Sequence, residues 1–202
     1  LIVSLMLKNN CDELKFIFLE QYSIELGEYD GINYIYNDGK KTLTNSKKIK
    51  DILSNIIDVM DYRINKLIDK RYKSIKSFNK SEKDKWPHIF IFVDEGCNLI
   101  NNEDIQRLLV HILDYGKVVG IHLIYATNAY LKDYTTFIDK FQYKMTFDLA
   151  SKEQAKYIDI ENANWLRNNG EALINGKGKT YKFQAPFVST DEIVRVVLEI
   201  GK

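Results

Sequence analysis

The chain has 202 residues, 45% of them hydrophobic, with 29 Lys/Arg against 28 Asp/Glu; this suits one soluble globular domain whose core needs no staples. The formal net charge of +1 excludes choosing a partner from overall charge. No apolar run is long enough to span a bilayer and no secretory leader is recognisable. Cys11 and Cys97 have neither ligand spacing nor a disulfide framework, which suits a reducing compartment.

Residues 1–7 read as the last turns of a helix, stopped by Asn9 and Asn10, so the chain is expected to continue something longer. Residues 14–19 are almost wholly apolar and read as a buried strand ending at Glu20. Residues 27–41 are rich in Gly, Asp, Asn and Tyr and read as a loop, with a short strand at 32–36.

From residue 46 to about 78 apolar residues recur at steps of three and four, including Ile49, Leu53, Ile56, Met60, Ile64, Leu67, Ile68 and Ile75. That period predicts one long amphipathic helix. Between Lys40 and Lys85 fourteen Lys/Arg stand against six Asp/Glu. Such a basic face fits a helix turned toward nucleic acid, where it would release phosphate counterions. It also fits the solvated back of an ordinary helix, the commoner use of such charge.

After a polar linker that ends in Trp86-Pro87, residues 89–93 are apolar at every position and are followed by Asp94 and Glu95. A short, wholly apolar run suits a central strand covered on both faces. Open α/β sheets place their chemistry just past the carboxyl ends of such strands. Paired acids there resemble the Walker B element of a P-loop ATPase, though Asp-Glu-Gly is also ordinary turn chemistry. Asn101 or Asn102 is expected to cap a helix over 103–117, with Gly116 and Gly120 bracketing the turn into a second apolar strand, 121–126. Thr127 and Asn128 then stand at the tip of that strand.

Further on, the pattern predicts a helix over 131–141, a strand over 144–149, a helix over 152–158 capped by Ser151, and a short helix over 162–167. Residues 170–187 read as a hairpin turning at 175–178, on the strength of Asn175-Gly176. Ser189 to Glu192 forms a capping-box pattern that opens a last helix with Ile193, Val196, Val197 and Ile200 inward. Asn175 to Thr180 ends in Gly-Lys-Thr but lacks the earlier glycine and the following helix that a phosphate loop needs. No other Gly-x-x-x-x-Gly-Lys-Ser/Thr run occurs in the 202 residues.

Taken in order, these segments resemble the motor domain of the FtsK/SpoIIIE family of DNA-pumping ATPases. The resemblance rests on Asp12 to Leu19, on Glu20 to Leu26 in place of the family's Asp-Pro-Lys-x-x-Glu-Leu, and on Ile91 to Glu95 as Walker B. It continues through Gly120-Ile-His-Leu-Ile-Tyr-Ala-Thr127, Ala150 to Lys152, Asn169 to Glu171 and Gln184 to Ser189. It implies an α/β, three-layer fold: a mostly parallel, RecA-like P-loop ATPase sheet flanked by helices, with a C-terminal β-hairpin and helix. Residues 1–202 would be one such domain, truncated after the phosphate-binding loop. Because the family's phosphate-loop strand is expected in mid-sheet between the partners of the Walker B strand, a gap, a substitute strand from another chain, or further residues before Leu1 are expected there.

The resemblance also implies ATP and Mg²⁺ as ligands, with Asp94 holding the metal through water, Glu95 activating the attacking water, Thr127 and Asn128 sensing the γ-phosphate, and Lys144 reaching a neighbouring subunit's site. It implies double-stranded DNA as cargo, a homo-oligomeric ring (a hexamer), and a cytoplasmic bacterial domain whose only membrane anchor lies outside this chain. Four positions depart from the family pattern: Tyr22 for Lys, Asn128 for Gln, and Lys144 and Lys156 for Arg. All four weaken nucleotide chemistry: Asn128 has a shorter reach than Gln, Tyr22 lacks the charge of Lys, and Lys144 and Lys156 lack the bidentate fork of Arg. A type VII secretion-type ATPase moving protein, and a degenerate non-hydrolysing assembly module, are therefore the alternatives. The isolated 202 residues are expected to bind ATP poorly.

Overall fold

A computed structural model describes residues 1–22, 24–128, 135–148, 152–167 and 169–201; the side chains of residues 97, 98 and 152 are outside that description. The chain divides into two compact units, residues 1–128 with 190–202, and residues 129–189.

The first unit is built on a parallel sheet in chain order, β1 (Leu14–Leu19), β2 (His88–Val93) and β3 (Ile121–Tyr125). β2 pairs on one side with β1, from Leu14↔His88 to Leu19↔Val93, and on the other with β3, from Ile89↔Ile121 to Val93↔Tyr125. This overturns the expected mid-sheet gap: the Walker B-like strand is hydrogen-bonded to both flanking strands in continuous register. Among the described residues β3 pairs with β2 alone, so its outer edge is the open one. The other edge of the sheet is lined by the 32–43 loop. The expected short strand there is only an isolated bridge, Phe16↔Ile35, with a second at Leu19↔Leu43.

Alternation along the strands gives the sheet two apolar faces. Phe16 and Phe18 on β1 stack on each other (5.5 Å); Phe16 also stacks on Tyr34 (5.8 Å), and Phe18 meets Tyr29 at a tilt (5.6 Å). Against this layer pack α1 (Ile2–Met6) and α8 (Thr190–Ile200), the latter through the predicted set Ile193, Val196, Val197 and Ile200. The other face is covered by α2 (Ser46–Asp69), which packs on α5 (Glu103–Tyr115). Ile49, Leu53, Ile56 and Met60 of α2 and Ile105 and Leu109 of α5 have no solvent exposure. Asn45 and Asn102 cap these helices, each side chain accepting two backbone N–H groups.

The single long helix expected over 46–78 is two helices. α2 stops at Asp69, Arg71 turns left-handed (φ +58°), and α3 (Ile75–Ser81) restarts at Ser74, whose N–H donates to Ser77 Oγ. Ile68, placed in the stripe by its spacing, is 68% exposed; Arg63 is on the buried face instead. Its guanidinium donates to the carbonyls of Pro87 (3.0 Å) and Val119 (2.8 Å), and lies 5.4 Å from the Trp86 ring. Arg63 thereby ties the entries of β2 and β3 to α2, and burial pulls its pKa down to about 10. α4 (Cys97–Ile100) is a single turn between β2 and α5.

The second unit contains α6 (Thr135–Ile138), β4 (Tyr143–Thr146), α7 (Lys152–Tyr157), β5 (Glu171–Gly176) and β6 (Lys179–Gln184). The strands form an antiparallel sheet in the order β4-β5-β6. Of the helix expected over 131–141, residues 131–134 lie outside the description, as do Leu149 of the expected strand and the Ser151 cap. A buried cluster of Ala155, Ile158, Ile160, Ala163, Leu166 and Leu173 is its core. The hairpin turns at Lys177 (φ +54°) and Gly178 (φ +73°), within the expected 175–178, while Asn175 and Gly176 belong to the strand, with Gly176 paired to Lys179. Two successive positive φ angles are the type I′ geometry that matches strand twist. Gly-Lys-Thr is therefore spent on a turn and a strand, as the sequence predicted.

Arg63→Ala is expected to lower the unfolding free energy by about 3 kcal/mol in urea titrations, with Arg63→Lys restoring only part, because a flexible, more strongly hydrated ammonium replaces the planar guanidinium that reaches both carbonyls from Nη1 and lies by Trp86. A second expectation concerns His88 and His122, whose ring nitrogens lie 3.0 Å apart. Burial pulls His122 down to about 4, helped by His88 and Lys117, and burial also lowers His88, helped by Arg63. The unfolded chain, with His near 6.5, then binds more protons than the folded one between those values, so stability is lost as pH falls through that window. Unfolding at pH 7.5 and pH 5 should show a smaller acid loss for His122→Gln than for the parent.

Candidate functional site

The candidate groups sit where β2 and β3 end. The ladder runs one step beyond the strands: Asp94 N–H donates to Leu19 O (2.9 Å), Ala126 N–H to Val93 O (2.8 Å) and Gly96 N–H to Ala126 O (3.2 Å). The turn after β2 is thus stitched to both neighbours. Asp94 is partly buried and its Oδ1 accepts the N–H of Glu95 at 3.0 Å. Glu95 is exposed and holds a left-handed backbone, φ +47°, a conformation that costs a non-glycine residue energy and clusters at functional sites. Gly96 follows under the ring of Tyr125: a β-carbon there would lie 2.3 Å from Tyr125 Cε2 and 2.8 Å from Val93 Cγ1. Only glycine lets the backbone pass so close.

Thr127, partly buried, and Asn128, exposed, follow β3 at the same edge of the sheet. The structure therefore brings Asp94, Glu95, Thr127 and Asn128 to one pair of adjacent strand tips. Lys144 is on β4 in the second unit, with its ammonium on Asp139 Oδ1 at 2.7 Å and its side chain 16% exposed.

Sequence reasoning passed over Glu20, which ends β1 at the same edge. It is 4% exposed. Its Oε1 accepts the N–H groups of Ile24 and Glu25 (both 3.1 Å) and its Oε2 that of Leu26 (2.9 Å). Glu20 thus shapes the loop beside the acids and offers them no free charge. A carboxylate directly after an apolar strand was the available signal, the same one that marked Asp94.

Chemically, the edge presents hard oxygen donors. Among the described residues no three His, Cys, Asp or Glu gather around a common point. The carboxylates of Asp94 and Glu95 could fill one or two places on a cation, which fits Mg²⁺, an ion that keeps several waters and takes substrate phosphates as ligands. Among the described residues no helix is long and apolar enough to cross a membrane.

A parallel sheet flanked by helices, with paired acids at the tip of its middle strand, has the fold of P-loop ATPase domains. It superposes on the conjugation coupling protein TcpA of pCW3 at a TM-score of 0.81, with 14% identity, over 98% of this chain and 58% of that one. It also matches the type VII secretion ATPase EccC of Thermomonospora curvata at 0.79, with 18% identity, over 100% of this chain and 26% of that one. More narrowly, the chain belongs to the FtsK/SpoIIIE family, whose model matches residues 1–156.

Relatives include the DNA translocase FtsK of Leptospira interrogans, 28% identical over 217 residues, and the DNA translocase SftA of Bacillus subtilis, 26% identical over 212 residues. These matches take in 100% and 99% of this chain but only 23% and 22% of the relatives, so the chain spans about a quarter of their length.

Gly96→Ala should force the Tyr125 ring or the 94–96 turn to move. The expected loss is about 1–3 kcal/mol of unfolding free energy, read by urea titration. A change in the fluorescence of Tyr125, against a Tyr125→Phe background, would locate the movement.

Proposed function

We propose that this chain is the working part of an ATP-driven motor that moves double-stranded DNA, and that its two units serve one motor domain. The carrying observation is the meeting of Asp94 and Glu95 with Thr127 and Asn128 at adjacent strand tips, in a chain whose relatives include the DNA translocases FtsK and SftA. Asp94, fixed through its own N–H to β1, holds a hydrated cation on its carboxylate. Mg²⁺, when bound, offsets charge on the phosphate oxygens.

Glu95, exposed and turned outward by its backbone, accepts a proton from the attacking water. Thr127 and Asn128 donate hydrogen bonds to the terminal phosphate. Lys144, once released from Asp139, supplies positive charge to the site of an adjacent subunit in a homo-oligomeric ring, a hexamer. The ring stands on the cytoplasmic side, and any membrane anchor belongs to regions beyond these residues.

One observation favours the non-hydrolysing alternative: Lys144 is already ion-paired to Asp139. Hydrolysis separates the two. In a protein extended to carry a phosphate-gripping loop, Glu95→Gln is expected to cut ATP turnover at least 100-fold while leaving ATP binding intact. Equal turnover in parent and variant would remove Glu95 from its role. No turnover in either, with ATP still bound, would favour the assembly module.

A further inference from the structure

The basic excess has a definite place in the fold, and it is not α2. Of the bases on that helix, Arg63 is buried and Lys50 is paired with Asp104 at 2.5 Å, while Asp51, Asp58, Asp61 and Asp69 offset the others. The excess lies in residues 70–85, where seven Lys/Arg stand against Glu82 and Asp84 in a chain whose total is +1. Glu82 is also withdrawn. Its carboxylate accepts from Lys70 Nζ (2.7 Å) and from the Tyr72 hydroxyl (3.0 Å), which hold its pKa below the usual range. Arg71, Lys73, Lys76, Lys80, Lys83 and Lys85 are left, all exposed and, among the described residues, outside every ion pair.

These charges stand on a fixed platform. α3 turns Ile75 and Phe78 inward; the Phe78 ring stacks on Trp86 at 3.7 Å, and Tyr72 meets it edge-on. The Asn79 side chain donates to Trp86 O (2.8 Å) and accepts Trp86 N–H (2.9 Å), clamping the segment that leads into β2. Lys76 and Lys80, four apart, share the outer face of α3; Lys73 and Lys83 flank them at three residues on either side. No large apolar side chain between residues 70 and 85 is exposed, so nothing here would insert among acyl chains as an interfacial anchor does. α3 also lies at the amino ends of the strands: a β-carbon on Gly120, just before β3, would come within 2.4 Å of Ile75 Cδ1. The six residues of β2 separate it from the paired acids by about 20 Å.

We propose that this α3 surface grips the sugar–phosphate backbone of duplex DNA, at the end of the sheet opposite the nucleotide chemistry. The choice of duplex DNA over another polyanion rests on the motor function proposed above; the surface itself does not. Lysines on a rigid face act as point charges toward phosphate and carry no base readout, so the contact is sequence-independent.

The test is titration of the 202-residue chain, without nucleotide, against a fluorescent duplex over a range of salt. Substituting Lys73, Lys76, Lys80 and Lys83 by Gln should weaken binding at least ten-fold at low salt and flatten the log–log salt dependence by about 3–4, since each phosphate contact contributes close to 0.9. A charge-matched control, Gln at Lys47, Lys48, Lys177 and Lys179, should keep the parental affinity and slope; circular dichroism checks that both variants fold.

Equal losses in the two variants would mean diffuse attraction and overturn the proposal. So would an unchanged slope in the α3 variant, or a parent that ignores DNA. Lysine-dependent binding to phosphatidylserine vesicles without DNA affinity would assign the surface to a membrane instead. Because no nucleotide is present, failure here leaves the Glu95 comparison standing, and failure there leaves this one readable.

Discussion

Six residues of β2 pair with β1 and five with β3, and the sheet is covered by helices on both faces. A strand held on both edges cannot slip by one residue without turning its buried side chains outward and breaking two ladders. The point where β2 ends is therefore fixed, and with it the place where Asp94 and Glu95 emerge. The hydrogen bonds that continue the ladder to Ala126 and Gly96 carry this order into the turn. Precision at the tip is inherited from burial of the strand behind it.

The two ends of the sheet are treated differently by the same physics. At the amino ends, the buried and partly buried polar groups beneath the exposed lysines of α3 are consumed internally: Arg63 on two carbonyls, His88 on His122, Asn79 on Trp86. At the carboxyl ends Glu20 is consumed in the same way, whereas Glu95 and Asn128 are turned outward. Satisfied buried polar groups stabilise and specify a fold. Asp94 and Glu95 stand at a fixed strand tip, Asp94 partly buried and Glu95 exposed, where side chains reach the solvent from a rigid support.

Much of the first unit was legible because its signals are local. Largely apolar runs marked β1, β2 and β3, and Asn102 marked the start of α5. The division of α2 from α3 was not, because apolar spacing runs through the break without interruption; the signals were Arg71 and the Ser74–Ser77 pair, which look like any polar turn. Arg63 was hidden for a related reason. It falls on the apolar stripe, three residues after Met60 and four before Leu67, and its spacing says buried while its charge says exposed. Only the carbonyls of Pro87 and Val119, far away in the chain, resolve that conflict. Continuity of the sheet was likewise beyond sequence, since strand order depends on which long-range pairing forms. At the candidate site, the acids were found by position alone, whereas the left-handed turn at Glu95 leaves no trace in composition.

That turn sets two selective pressures against each other at one residue. A glycine at position 95 would relieve about 1 kcal/mol or more of backbone strain, and drift toward greater robustness would favour it. Retention of a carboxylate on so unfavourable a backbone costs the fold something in every generation. On the role proposed for Glu95, a homologue that no longer turned over nucleotide would relax at this position early, and the amino acid found there would be a compact indicator of whether a given copy is still under selection as an engine.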